Sequence, residues 1–298
     1  MAEWTVLNMG LIAAAGTLIG FMAGMFGVGG GVLLVPVLHI ALGIPIPLAV
    51  GSVTCFILGP ATTAVLTRRP DTGLLQLPLI LLGGLFCGVI TGSEVLVRVR
   101  QAGQVTLLGR VIPVPELVVL GSYAVVMAII AGLAIRDAML QRPASRRAPF
   151  SRMLLSPVAE IRAISPSRHS IPLLAWTGVA VGFLSGFLGI SGGLLLIPVF
   201  TSLMGLRLRE SVTVSIVIVW LVSLGSTVTH AAHGNIDLRI VMLLLVGGTV
   251  GARFGADVGM HISSRRLKVG FAGMVVLSLL LVLGRLIQLW YRTDPNVT

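Results

Sequence analysis

The stretch GFMAGMFGVGGGVLLVPVL at residues 20–38 returns as GFLSGFLGISGGLLLIPVF at residues 182–200, and no other feature constrains the chain as strongly. At a constant offset of 162, the copies agree at Gly20/Gly182, Phe21/Phe183, Gly24/Gly186, Gly27/Gly189, Gly30/Gly192, Gly31/Gly193, Leu33/Leu195, Leu34/Leu196, Pro36/Pro198 and Val37/Val199. Each copy combines two opposed tendencies. Glycines four apart let a helix lie close against a neighbour. Consecutive glycines, in Gly-Val-Gly-Gly-Gly and Gly-Ile-Ser-Gly-Gly, cost about 1 kcal/mol each inside a helix and interrupt it. Two glycine-broken helices are therefore predicted, one in each of two duplicated halves.

The surroundings of the breaks are hydrocarbon. An apolar fraction of 56%, a charged fraction of 10% and a mean hydropathy of +1.04 exclude an ordinary soluble domain. Apolar runs of about 20 residues suit membrane-crossing helices, and unbroken runs without dyad alternation select helices over a barrel. The predicted class is an all-α polytopic membrane protein of two inverted repeats with glycine-broken helices or hairpins, roughly 8 to 10 membrane segments in all. The first apolar segment is expected to remain in place, since Glu3 precedes it and its counterpart at 172–190 lies mid-chain. The net charge of +11 resides in loops, where anionic lipid explains it and no nucleic-acid partner is expected. Cys55 and Cys87 fall inside apolar runs and read as small packing residues.

In order, the first transmembrane repeat occupies 1–135, with helices near 5–25, 48–67, 74–92 and 116–135, a short run at 32–42 and a mixed segment at 93–115. A basic polar linker, expected to be cytoplasmic, occupies 136–170. The second repeat at 171–298 has helices near 172–190, 211–231, 238–257 and 267–290, with a short run ending at Met204. Gly83-Gly84 answers Gly247-Gly248, and Ser52 answers Ser215. Charge decides between parallel and inverted halves. If each broken unit crosses once, the halves are parallel and 12 of the 21 Lys and Arg share the linker's side. If each unit crosses twice or returns as a hairpin, the second half is inverted and 15 of 21 do so, which obeys the positive-inside rule better.

A break inside a membrane exposes backbone N–H and C=O groups that persist only where protein or a water-filled cavity satisfies them. Half-helices starting near Gly31 and Gly193 would present N–H groups and a positive dipole end to an anion. The candidate substrate-binding residues are thus Gly29, Gly30, Gly31, Ser191, Gly192 and Gly193, joined by the hydroxyls of Ser52, Thr54, Thr213 and Ser215, which can donate to an oxyanion. His39, in the short run, is a candidate for proton or substrate contact. His230 and His233 are three apart but lack a third ligand, so no metal is expected, and no cofactor. No serine, histidine and acid constellation, zinc motif or nucleotide loop argues for an enzyme.

The doubled G-x-x-[SA]-G-x-x-G-[VI]-[GS]-G-G-x-L-L-[VI]-P, the Ser-Val-Thr-Val-Ser element at 211–215 and Gly234-Asn235-Ile236-Asp237 resemble the sulfite exporter TauE/SafE family, also called the toluenesulfonate uptake permease family. The resemblance covers almost the whole chain. It implies a cell (inner) membrane transporter for sulfite or small organosulfur anions of the sulfonate type, coupled to a proton or sodium gradient and working by alternating access. An anion channel is the alternative. The partners it implies are the small sulfur-containing anion, the coupling ion, the lipid bilayer and a second copy of the chain in a homo-oligomer. The first half departs from the pattern, with Arg69-Pro70-Asp71-Thr72-Gly73 in place of the Gly-Asn-Ile-Asp element.

Overall fold

The computed structural model describes residues 6–107, 110–140, 156–160, 168–204 and 206–292. The first half comprises α1 (Val6–Phe26), α2 (Gly31–Leu42), α3 (Ile46–Arg68), α4 (Gln76–Gln101) and α5 (Val114–Leu140). The second comprises α6 (Ile171–Leu188), α7 (Gly193–Pro198) continued by a π-helical turn at Val199–Leu203, α8 (Leu208–Ala232), α9 (Leu238–His261) and α10 (Ser264–Arg292). Two short antiparallel ribbons complete the described chain: β1 (Gln104–Leu107) with β2 (Arg110–Pro113), and β3 (Val158–Glu160) with β4 (Arg168–Ser170). Most of the basic linker lies outside the described residues.

Seven helices, α3 to α6 and α8 to α10, are long and apolar enough to cross a membrane among the described residues. Their outward side chains are apolar too, Trp176 at 72% and Val246 at 72% exposure being examples, as a lipid-facing surface requires. With α1 and the two half-helices, this matches the expected segment number. The chain is a multi-pass membrane protein.

Helix direction follows from which residues meet. Gly16, Gly20 and Gly24 of α1 lie against Leu244, Gly248 and Ala252 of α9, so these two run parallel. Gly178, Gly182 and Gly186 of α6 lie in the same way against Leu81, Leu85 and Val89 of α4. The first helix of each half thus packs on a helix of the other half, and these are the two most extensive helix pairings. By contrast, Gly51 of α3 lies beside His230 of α8, while Thr62 of α3 accepts a hydrogen bond from Trp220 of α8 at 2.9 Å. The equivalent helices α3 and α8 are therefore antiparallel, and the halves are inverted. α2 runs from the bundle centre back to the face where α1 began, so each broken unit is a hairpin and not a crossing.

Two boundaries differ from expectation. α4 continues to Gln101, about two and a half turns into the mixed segment, because Glu94 and Arg100 find partners at the membrane face: Glu94 pairs with His233 at 3.3 Å, and Arg100 donates to Asn235 Oδ1 at 3.1 Å. Glycine pairing between the halves also shifts by one residue after α3. Gly84, Gly88 and Gly92 meet Ala175, Val179 and Phe183, just as Gly247, Gly251 and Gly255 meet Ala13, Thr17 and Phe21. Gly84 therefore answers Gly247, not Gly248.

The charges divide by face. Arg68, Arg69, Arg136, Arg207, Arg209, Arg253, Arg265, Arg266 and Lys268 lie toward the face to which both ends of the linker attach. Arg98, Arg100, Arg239 and Arg285 lie toward the other.

Candidate functional site

The two breaks meet at the centre of the bundle. A side chain at Gly31 would strike the Gly189 carbonyl, and one at Gly193 would strike the Gly27 carbonyl. Each half-helix therefore starts against the end of the other half's first helix. Gly30 and Gly192 precede α2 and α7 at φ +76 each, a left-handed conformation that only a residue without Cβ adopts at little cost. The break is thus built into the backbone. The first two N–H groups of each half-helix, those of Gly31 and Val32 and of Gly193 and Leu194, have no intrahelical acceptor at the positive end of the dipole, while Leu33 and Leu195 bond back to the Gly30 and Gly192 carbonyls.

The surrounding helices hold this junction from three sides. Ser215 of α8 donates to the Gly27 carbonyl at 2.9 Å, and Ser278 of α10 donates to the Val32 carbonyl at 2.9 Å. Tyr123 of α5, fully buried, donates to the Leu188 carbonyl at 2.6 Å with the Gly31 carbonyl 3.5 Å away, so one phenol touches both breaks. Sequence reasoning missed Tyr123 and Ser278. Only the rarity of tyrosine, two in the chain, pointed to the first. We expect Tyr123→Phe to lower stability by about 1 kcal/mol, since it leaves a buried carbonyl unpaired; thermal denaturation in detergent checks this.

Ser191 stands out among the ten candidates. Its Oγ is buried without a hydrogen-bond partner and lies 2.6 Å from where a side chain at Gly29 would begin. A buried hydroxyl without a partner is uncommon, and this one lies beside the residues that precede both half-helices. Of the candidate glycines, Gly29 lies against it and Gly192 follows it in the chain, while Gly31 and Gly193 meet the Gly189 and Gly27 carbonyls. The other hydroxyls are engaged elsewhere. Thr54 donates to the Gly51 carbonyl at 2.8 Å and Thr213 to the Arg209 carbonyl at 2.9 Å, each bonding its own helix. Ser52 accepts from the Asp237 N–H at 2.9 Å, fixing the start of α9. Nor is Ser52 the mate of Ser215. Val50 faces Gly189 as Val212 faces Gly27, so the 162 offset continues and Val53 stands where Ser215 does.

His39 is buried, but eight residues beyond Gly31. Its Nδ1 donates to the Ile44 carbonyl at 2.8 Å, and its Nε2 faces Glu116 at 3.6 Å, with Arg285 4.0 Å from the same carboxylate. It belongs to a charge cluster near the face opposite the linker. His230 and His233 diverge, one toward Gly186 and one toward Glu94, and no group of three metal-ligating side chains occurs among the described residues. On the linker side, Phe26, Ile197, Pro198, Thr201, Val212 and Phe271 line a crevice leading toward α7, with Lys268 also in its wall.

The comparisons agree with this architecture. The family model described as "Sulfite exporter TauE/SafE" matches residues 11–282. A probable membrane transporter protein of Xylella fastidiosa strain 9a5c is 23% identical over 92% of this chain and 94% of its own length. The probable membrane transporter protein YdhB of Bacillus subtilis is 32% identical over 39% of this chain, and the chain spans only 47% of that relative. No solved structure matches. Glycine-broken hairpins, inverted and interlocked across the bundle centre, and a family match over nearly the whole length lead to one conclusion: the chain belongs to the TauE/SafE family of membrane transporters.

Proposed function

We propose that this protein is a secondary transporter for sulfite or small sulfonate-type anions, driven by an ion gradient and working by alternating access. The observation that carries the reading is the unpartnered Ser191 hydroxyl between the two half-helix starts. In the proposed site, backbone N–H groups after Gly30 and Gly192 hold the anion's oxygens, Ser191 donates a third contact, and Gly29, Gly31 and Gly193 keep the approach free of side chains. Ser215 and Tyr123 act at one remove by fixing the carbonyls behind those N–H groups. Val28 and Ile190 within the breaks are fully buried, which favours an occluded intermediate over the open pore of a channel. The linker face, richer in Lys and Arg, is assigned to the cytoplasm.

Uptake of labelled sulfite and methanesulfonate into proteoliposomes tests this directly. Accumulation is expected under an imposed ion gradient and is expected to vanish when an ionophore collapses it; undiminished accumulation would refute coupling. Ser191→Ala should weaken anion binding by about tenfold to a hundredfold, the worth of one hydrogen bond to a charged group, with the melting temperature unchanged because the hydroxyl has no partner to lose. Titration calorimetry alongside a thermal melt reads both quantities.

A further inference from the structure

The two halves are equivalent in shape but not in polarity, and the difference is concentrated on one helix face. At the 162 offset, Ser215, Val219, Ser223, Ser226 and His230 of α8 correspond to Val53, Ile57, Ala61, Ala64 and Arg68 of α3, and all of these except Arg68 are buried. Ser185, which lies 3.4 Å from Ser226, corresponds in the same way to Ala23. From the break to the linker face the α3 stripe is dry until Arg68. From the break to the opposite face the α8 stripe is a line of hydroxyls ending at a histidine. Ser223 Oγ and Thr227 Oγ1 on this track are buried without partners, unlike a packing serine that bonds its own helix.

His230 and Arg68 occupy equivalent posts. Arg68 Nη2 donates to the Gly24 carbonyl at 2.9 Å and the Met25 carbonyl at 3.2 Å, where α1 ends. His230 Nε2 lies 3.0 Å from the Gly186 carbonyl, where α6 ends. A carbonyl only accepts, so Nε2 carries the hydrogen. Nδ1, buried and without a partner, is then the bare basic nitrogen. One half carries a permanent cation against the negative end of its first helix; the other carries a group that becomes a cation only by taking up a proton.

We propose that His230 is the proton-binding site that couples transport to a pH gradient, loaded from the face opposite the linker and joined to the break by the α8 hydroxyl track. This rests on the reading of the chain as an ion-coupled anion transporter. A proton from water at that face adds to Nδ1, and the resulting imidazolium keeps its Nε2–H bond to Gly186. It places a positive charge five residues before Ser191, matching Arg68 in the other half and favouring an anion at the break, so proton and anion travel together. The ionisable groups facing it are few. Just past the end of its own helix His233 is paired with Glu94 of α4 at 3.3 Å, and Arg100 of α4 holds Asn235, whose N–H bonds the His230 carbonyl at 2.9 Å. Asp237 begins α9 beyond them, while α3 and α6 present Gly51, Ser185 and Gly186.

Methanesulfonate is the probe, because it stays ionised across the pH range and any pH dependence then belongs to the protein. Full-length protein should bind it on the order of tenfold more tightly at pH 5 than at pH 8, within the usual range of coupling between two sites. His230→Gln should bind with no pH dependence, retain counterflow at saturating methanesulfonate and equal pH, and lose accumulation driven by a pH gradient. His230→Arg should bind tightly at every pH and also fail to accumulate. A wild-type affinity independent of pH, accumulation that follows sodium alone, or a His230→Gln protein that still accumulates on a pH gradient would each overturn the assignment. If neither methanesulfonate nor sulfite binds or exchanges at all, the anion-transporter reading fails instead. The assignment is then decided by nitrogen-15 histidine spectra of a chain whose other four histidines are glutamine, where a ring that stays neutral from pH 8 to 5 overturns it and one that titrates upholds the proton site.

Discussion

Gly193→Leu is expected to abolish anion-induced thermal stabilisation and to reduce transport by about a hundredfold or more, the scale set by misplacing binding groups by roughly 1 Å. A side chain there would begin 2.8 Å from Val28 Cα and from Val219 Cγ2, and closer still to the Gly27 carbonyl. Two of these three obstacles are backbone, and no rotamer change relieves a clash with backbone. The α7 start must therefore move away from the α1 end, separating the two sets of N–H donors. Membrane insertion should survive, since no apolar span is lost. Gly83→Leu is the matched control, for Gly83 is exposed and nothing lies within 4 Å of its missing Cβ. Ligand-dependent melting of the three purified proteins makes the comparison, and retained methanesulfonate stabilisation in Gly193→Leu would remove the second break from the site.

Valine at Gly20 or at its mate Gly182 should instead damage the fold itself. In the first case the new Cβ would meet the Gly248 carbonyl and lie 2.7 Å from Gly248 Cα; in the second it would meet the Leu85 carbonyl and lie 2.9 Å from the Leu85 carbonyl carbon. Lipid supplies no hydrophobic drive for helices to associate, so close backbone contact along these stripes is a main source of cohesion. Forcing α1 from α9, or α6 from α4, should cost at least about 3 kcal/mol, the upper end for overpacking where neighbours cannot repack. Fluorescence-detected size exclusion should show a broadened or aggregated peak for both variants. The pseudo-symmetry requires the two to suffer alike, so a normal profile for only one would refute the equivalence of the two pairings.

Much of the candidate site was legible because its signal is local. Gly30 and Gly192 announce a break by composition, since consecutive glycines are costly in a helix whatever surrounds them. Ser191 was legible through its place in the repeat. Ser52, Thr54 and Thr213 were drawn in because a hydroxyl near a break can face an anion, yet helix phase turned each toward a backbone group that a linear reading does not display. The equivalence of His230 with Arg68 was hidden for a different reason: the residues differ in type, and only their shared bond to the carbonyl at Gly186 or Gly24 reveals the common post. Gly84 was set one residue out of register, and Gly88 and Gly92 were passed over, because the one-residue shift after α3 spoils the alignment by eye.

By itself the sequence determined that the chain lives in a bilayer, that it is doubled, and that each half contains one interrupted helix. Hydropathy and glycine content act within a turn or two of chain and need no partner to be read. Only the tertiary structure decided that each first helix joins the opposite half and that Ser215 steadies a carbonyl 188 residues away. It alone decided that the Ser191 hydroxyl lies buried beside Gly29 without a hydrogen-bond partner. Such outcomes depend on which backbone groups come within bonding distance after the inverted halves interlock, and no local window of residues carries that information.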